Sequence, residues 1–193
     1  MCGDMVRATL NDTKTQTRRI AIRNPLVDKY YEFTEFKDGR ALFVLKRKSR
    51  EFPLLIPVIG IKPKCQVGGR FWVKETFRTL YDPATCLDGA LDIDYRADGK
   101  TRIGDKIGTL HWKPSIFMPR WASRIKLEVT EVRVHRVEDI SEDDSFSEGV
   151  GHLPGFSSKD LFRRLWDELN FKRGYGWKVN PNVFAYTFKR ISP

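Results

Sequence analysis

The chain has 193 residues, of which 40% are hydrophobic and 12% aromatic, and its formal net charge is +10. This length suits one domain with insertions, or at most two small domains, and the apolar content excludes wholesale disorder. The positive charge favours an anionic partner, nucleic acid first among them, although charge alone also fits an ordinary basic protein.

Cysteine and histidine usage argues against both a disulfide framework and a metal centre. Cys2, Cys65 and Cys86 are far apart and odd in number, and the three histidines show no metal-ligand spacing. No apolar run is long enough to span a membrane, and the N-terminus lacks the apolar core of a signal peptide. We therefore expect reduced thiols in the cytoplasm, no membrane partner, no metal and no cofactor.

The N-terminal part of the chain predicts one short helix and two strands. Residues 5–19 are typical of a short helix or turn with polar capping chemistry. Residues 41–47 and 52–61 are rich in β-branched and aromatic side chains, which predicts strands. Pro53 and Pro57 place the second of these at a sheet edge or in an irregular segment.

The middle of the chain is less regular. Residues 67–77 predict a glycine turn that opens a strand. Residues 78–110 are acidic and then rich in Gly and Asp, which indicates an insertion or a long hairpin. Residues 111–124 contain two Pro and two Trp without a clear period, so we expect an ordered loop there.

The C-terminal part carries the strongest patterns. Residues 124–137 alternate apolar and charged side chains and then slip by one residue, which predicts a long strand with a β-bulge. Residues 141–149 predict a short helix with a serine N-cap and a terminal glycine. Residues 157–171 predict an amphipathic helix with Trp166 in the core, and residues 182–191 predict a central strand.

This order of elements contains no β-α-β alternation. It predicts an α+β fold in a single domain, residues 1–193, with insertions around 21–66 and 78–110. The expected architecture is a small mixed β-barrel decorated with short helices and one longer C-terminal amphipathic helix.

The stretch KTQTRRI, residues 14–20, concentrates hydroxyl and cationic side chains beside little acid. Lys14 and Thr17 are three residues apart, so they would share one face of a helical turn, and a neutral lysine can activate a threonine hydroxyl. Alternatively, Lys14, Arg18 and Arg19 anchor nucleic-acid phosphates while the threonines cap a turn. Spacing alone leaves both interpretations open.

Two further segments interleave aromatic and cationic side chains. Arg120 and Trp121 lie in the first, and Tyr175 and Trp177 alternate with glycine in the second. Such residues can stack bases and hold phosphates, and they are predicted to bind nucleic acid or substrate. The alternative is that these rings are partly buried packing residues.

Two acidic features are also candidates. Glu75, on the strand after the glycine turn, is a second acid that would face the barrel interior or the cleft. The acidic run at residues 138–144 predicts a solvated helix start rather than a metal site, because its side chains fan out over a turn.

Four segments follow one another in an order that resembles the ASCH domain family, which is related to the RNA-binding PUA domains. They are KTQTRRI, GGRFWVKETF, EVTEVRVHRVEDISEDDSFSEGV and the terminal FAYTFKRI. WKPSIFMPRWASRI together with KRGYGW is similar to the subgroup common in phages and prophages. The resemblance implies a PUA-like pseudo-barrel.

The ASCH signature G-x-K-x-x-E-x-R falls here on Asp12, Lys14, Thr17 and Arg19. Asp12 replaces the glycine and Thr17 replaces the glutamate. The K-x-x-T-x-R pattern resembles the branch of small N4-acetylcytidine amidohydrolases. That resemblance implies a catalytic set of Lys14, Thr17 and Glu148.

Together, these features predict a nucleoside- or RNA-interacting protein, and the resemblance implies hydrolysis of N4-acylated cytidine. Glu148 would orient Lys14 or move a proton, or it would activate a water while Lys14 stabilises the oxyanion. The alternatives are a non-catalytic RNA-binding module and a ribonuclease. The chain is nearly twice as long as the compact amidohydrolases, which argues against a simple transfer of their activity.

Overall fold

Strands dominate the computed structural model, which describes residues 3–46, 58–80, 92–99 and 111–191. The strands in this part of the chain are β1 (Gln16–Ile20), β2 (Tyr31–Lys37), β3 (Arg40–Leu45), β4 (Val58–Ile61), β5 (Arg70–Trp72), β6 (Phe77–Leu80), β7 (Asp92–Tyr95), β8 (Lys126–Arg136) and β9 (Asn182–Ile191). The α-helices are α1 (Gly3–Leu10), α2 (Pro25–Asp28), α3 (Glu142–Ser147) and α4 (Ser158–Asn170).

The main sheet is antiparallel and strongly curled, with the strand order β1-β9-β8-β5. β9 therefore lies between β1 and β8, which confirms the predicted central strand. The register of β8 against β9 shifts between Val129 and Glu131, which confirms the predicted bulge. A bulge of this kind bends a strand and helps a sheet to curl.

A second sheet covers one face of the main sheet. Among the described residues it has the order β2-β3-β4, so β4 lies at its edge. Residues 52–57 of the strand predicted for 52–61, with both prolines, lie outside the described part. Phe43 of β3 is fully buried against Phe184 and Tyr186 of β9. The described residues of the segment 21–66 thus contribute to the central core.

The opposite face of the main sheet is covered by helices. Trp166 and Phe162 of α4 pack with Val183 of β9 and with Trp177, which confirms the predicted core position of Trp166. Ser157 caps α4, and its hydroxyl accepts a hydrogen bond from the main-chain N–H of Asp160. Helices on one face and a second sheet on the other give an α+β fold with a partly closed barrel.

The N-terminal prediction was partly wrong. α1 ends at Leu10, and Gln16–Ile20 forms a strand rather than a continuation of the helix or turn predicted for 5–19. Its buried positions, Gln16 and Arg18, are polar. The alternation of apolar and polar side chains that normally identifies a strand is therefore missing.

The region 78–110 is described only in part. β6 and β7 pair antiparallel, as the two strands of a hairpin do, and residues 81–91 and 100–110 lie outside the described part. Cys65 is a free thiol, while Cys2 and Cys86 are not among the described residues. None of the described helices is long and apolar enough to cross a membrane.

Candidate functional site

Lys14 and Glu148 form a buried ion pair between the start of β1 and the end of α3. The Lys14 Nζ lies 2.8 Å from a Glu148 carboxylate oxygen and also donates to the main-chain carbonyls of Gln16 and Glu148. Three acceptors satisfy all three N–H groups of an ammonium ion. Lys14 and Glu148 are only 5% and 4% exposed. The fold thus brings together two of the three residues predicted to be catalytic.

Arg18 completes this cluster from β1. Its guanidinium donates to the second Glu148 oxygen at 3.1 Å and to Asp144 at 2.8 Å, and its side chain is fully buried. Arg18 was predicted to bind substrate or nucleic acid, but in this arrangement its guanidinium is directed to two carboxylates of the protein. A guanidinium enclosed in this way neutralises buried charge.

The C-terminal end of α3 places Glu148 against Lys14. The main-chain N–H of Glu148 closes the last turn of the helix, and Gly149 then adopts φ +81°. A Cβ on Gly149 would lie 2.9 Å from the Cβ of Lys14 and 3.1 Å from that of Ala8. The left-handed backbone and the close approach both favour glycine here.

Asp144 anchors the same face of the sheet. It accepts hydrogen bonds from Gln16, Arg18 and Arg133, and its side chain is 19% exposed. Burial opposes ionisation of Asp144, but the hydrogen bond from Gln16 and the charges of the two arginines outweigh it, so its pKa lies below the ordinary value. The prediction of a solvated acidic run was therefore wrong at this residue.

His135 lies beside these cations on β8. Burial lowers its pKa, and the charges of Arg18 and Arg133 act in the same direction, opposed by the carbonyl of Arg136. The Nδ1 lies 2.6 Å from that carbonyl, and Nε2 has no hydrogen-bond partner among the described residues. His135 is therefore a packed side chain whose surroundings favour the neutral form.

Thr17 points away from the Lys14–Glu148 pair. Gln16 and Arg18 reach α3, so the alternation of β1 places Thr17 on the opposite sheet face, paired with Tyr186. The expectation that Lys14 and Thr17 share a helical face was wrong, because this segment is a strand. The Thr17 hydroxyl is not beside Lys14 in this arrangement.

Arg19 is the exposed cation of this stretch. Alternation places it on the same sheet face as Thr17, and its guanidinium donates to the carbonyl of Arg18 at 3.3 Å. Its long side chain lies at the surface, where an anion can reach it.

Tyr175 and Trp177 are buried, although both were predicted to stack on bases. Trp177 packs in the core with its ring centre 6.1 Å from that of Phe162. Tyr175 is 4% exposed, and its carbonyl accepts a hydrogen bond from the Trp166 indole. Enclosed rings present no free face to a base, which favours the alternative that these rings are packing residues.

The segment 111–124 is ordered, as predicted, because two of its residues are anchored in the protein. Met118 and Ala122 are each 1% exposed and pack with Phe77. The Tyr95 hydroxyl donates to the carbonyl of Ala122 at 2.9 Å. A short 3₁₀ turn at Ser115–Phe117 directly precedes Met118, and a second one at Arg120–Ala122 contains Ala122.

The same segment presents large apolar side chains to solvent. Ile116, Phe117 and Trp121 are 71%, 70% and 63% exposed, and Arg120 is exposed beside them. Residues 111–124 contain no acidic side chain. We call this surface the aromatic–cationic segment. Sequence reasoning identified Arg120 and Trp121 in it but missed Phe117, whose position beside the buried Met118 was not apparent from the sequence.

Glu75 is a structural acid. It is 1% exposed and holds Arg124, which also binds Asp98 and stacks over the Tyr95 ring. Burial opposes the charge of Arg124, but the hydrogen bonds and charges of the two carboxylates outweigh it, and its pKa lies above the ordinary value. Among the described residues, no three His, Cys, Asp or Glu side chains cluster as metal ligands would.

Chemically, the site contains a buried ion-pair cluster, in which the Arg18 Nε has no hydrogen-bond partner among the described residues, and, elsewhere, an exposed aromatic surface with cations. Comparisons of the chain with protein-family models, with curated proteins and with solved structures gave no match. The ASCH likeness therefore rests on the motif residues alone.

Proposed function

We propose that this protein binds single-stranded RNA, as an ASCH-like domain, through the aromatic–cationic segment. The observation that carries the proposal is the exposure of Phe117 and Trp121 on an anchored segment without acidic side chains. Every base has an apolar face that can stack on such a ring, and nearby cations attract the phosphates. The net charge of +10 favours the same partner.

Other exposed apolar side chains are less suitable for RNA. Leu169 and Phe171 are 61% and 70% exposed, but Asp167 and Glu168 offset the charges of Lys172 and Arg173 in the same stretch, which leaves it without net positive charge. Carboxylates repel a phosphate backbone, so this surface serves as an internal comparison.

The test is equilibrium binding of a fluorescent single-stranded RNA, measured by anisotropy at several salt concentrations. Loss of a stacking ring costs about 1–3 kcal/mol, so Trp121→Ala should weaken binding about tenfold, and Phe117→Ala should weaken it similarly. Phe171→Ala is the matched control and should bind like the unmodified protein. Unchanged affinity in both Trp121→Ala and Phe117→Ala, or affinity independent of salt, would overturn the proposal.

A second candidate is hydrolysis of N4-acylated cytidine, and the 2.8 Å contact between Lys14 and Glu148 favours it. Of the two mechanisms, we favour the one in which Glu148 activates a water and Lys14 stabilises the oxyanion. This mechanism requires the oxyanion to replace one of the three acceptors that the Lys14 Nζ contacts. It does not require the Thr17 hydroxyl, which faces the other side of β1. Water would attack the acetyl carbonyl, and the products would be cytidine and acetate.

Chromatography of N4-acetylcytidine incubated with the protein tests this candidate. Thr17→Val should keep activity and Glu148→Gln should lose it, whereas a threonine nucleophile predicts that both lose it. Breaking a buried ion pair costs about 3–5 kcal/mol, so circular dichroism must show that Glu148→Gln is folded at the assay temperature. If the unmodified protein releases no cytidine, this candidate fails and the binding proposal is unaffected.

A further inference from the structure

Arg120 and Trp121 lie in one 3₁₀ turn of the aromatic–cationic segment, at Arg120–Ala122. Successive residues of such a turn point about 120° apart, because it has about three residues per turn. Ala122 is 1% exposed and points into the protein, whereas the side chains of Arg120 and Trp121 are exposed and point outward. The turn thus presents a guanidinium next to an indole ring on one surface.

This turn is fixed from the inside of the protein. The carbonyl of Ala122 accepts a hydrogen bond from the Tyr95 hydroxyl at 2.9 Å. The next residue, Ser123, is 6% exposed, and its hydroxyl donates to the carbonyl of Val73 at 2.9 Å. A fixed backbone lowers the entropic cost of ordering the guanidinium and the indole ring against a ligand.

The guanidinium of Arg120 is available to a ligand. Among the described residues, it forms no ion pair and no side-chain hydrogen bond. Arg124, four residues later, differs in this respect, because Glu75 and Asp98 hold its guanidinium. Residues 111–124 contain no acidic side chain, so the segment itself supplies no carboxylate that competes for Arg120.

A guanidinium beside an aromatic ring can discriminate between bases. It only donates hydrogen bonds, and its planar fork can donate two of them in parallel. Guanine presents two adjacent acceptors, O6 and N7, whereas adenine places an amino donor beside its N7, and cytosine also presents an amino donor. In single-stranded RNA, this edge of a base stays accessible while the base stacks on an aromatic ring.

We propose that the aromatic–cationic segment prefers guanine, which stacks on Trp121 while Arg120 donates two hydrogen bonds to its O6 and N7. This inference rests on the proposed function, because it assigns the base that is bound at the same site. Arg120 is then the residue that determines specificity, and Trp121 provides affinity for any base. Lys113, which is also exposed, attracts phosphates without selecting a base.

The experiment measures the anisotropy of fluorescent uridine octamers that carry one central guanosine or adenosine. Both purines stack over a similar area, so a difference in affinity between them reports the hydrogen bonds. The guanosine octamer should bind about tenfold more tightly, as expected for one bidentate contact. Inosine keeps O6 and N7 and should match guanosine, whereas 7-deazaguanosine lacks the N7 acceptor and should bind several times more weakly.

Arg120→Gln and Lys113→Gln remove the same charge from the segment, so the pair distinguishes base recognition from attraction to phosphate. Both variants should reduce the salt dependence of binding. Only Arg120→Gln should abolish the preference for guanosine, because an amide has donor and acceptor atoms and matches N6 and N7 of adenine instead. Lys113→Gln should weaken binding of both octamers by the same factor and keep the preference.

Adenosine binding as tightly as guanosine in the unmodified protein would overturn the inference. A guanosine preference that survives in Arg120→Gln, or 7-deazaguanosine that binds as tightly as guanosine, would overturn it as well. In each of these cases, RNA binding that depends on Trp121 and Phe117 would leave the proposed function intact. If none of the octamers binds, the proposed function fails, and the assignment of guanine fails with it.

Discussion

At the scale of single residues, Gly149 allows α3 and β1 to approach each other. Gly149→Ala would place a methyl group 2.9 Å from the Lys14 Cβ at a left-handed φ. The strained backbone and the overpacking together should reduce the free energy of unfolding by about 2–4 kcal/mol. Urea denaturation followed by circular dichroism measures this loss.

Gly151→Ala separates the two causes, because Gly151 also has a positive φ, +77°, but a Cβ there would meet nothing within 4 Å. It should cost only about 1–2 kcal/mol, the backbone contribution alone. Equal losses in the two variants would contradict a close contact between Gly149 and Lys14.

Only part of the site could be predicted from the sequence. Lys14 and Glu148 were identified through the motif resemblance, and the fold places them in contact. Arg18 was assigned to a ligand because its buried partners lie more than a hundred positions later in the chain. Tyr175 and Trp177 were assigned to base stacking because local spacing does not distinguish an exposed ring from a buried one.

At the scale of elements, β8 carries a titratable residue whose environment differs between the folded and unfolded chain. The pKa of His135 is lowered in the fold, chiefly by burial, from an unfolded value of about 6.5. The unfolded chain therefore binds a proton first as the pH falls. The stability that His135 contributes is present above about pH 6.5 and is lost as the pH falls towards its folded pKa.

We expect the free energy of unfolding to fall between pH 7 and pH 5 more steeply in the unmodified protein than in His135→Gln. The pKa of Asp28 is raised, chiefly by burial, which acts in the opposite direction, but Asp28 is present in both proteins and cancels in the difference. Urea denaturation at each pH gives the two curves. Parallel curves would contradict a depressed pKa of His135.

Elements were predictable where the apolar pattern was intact. β8 alternates apolar and charged side chains on either side of its bulge, β9 is apolar on both faces, and α4 has a capping serine and one apolar face. β1 was not predicted because the side chains that it buries are polar. Their burial becomes favourable only when the carboxylates of α3 and its C-terminal end are available as partners. In β2, the register shift between Phe33 and Glu35 breaks the alternation that a strand would otherwise show.

At the scale of the whole molecule, the packing of the β2-β3-β4 sheet on the main sheet predicts one cooperative unit. Phe43 is fully buried at this contact, so Phe43→Ala should cost about 3–5 kcal/mol. Because the core is shared, amide hydrogen exchange should accelerate in β8 and β9 as well as in β3. Phe36→Ala, at a 42% exposed position on the same small sheet, should have little effect. Faster exchange confined to β2, β3 and β4 would instead mean that the segment 21–66 folds as an appendage on an independently stable sheet.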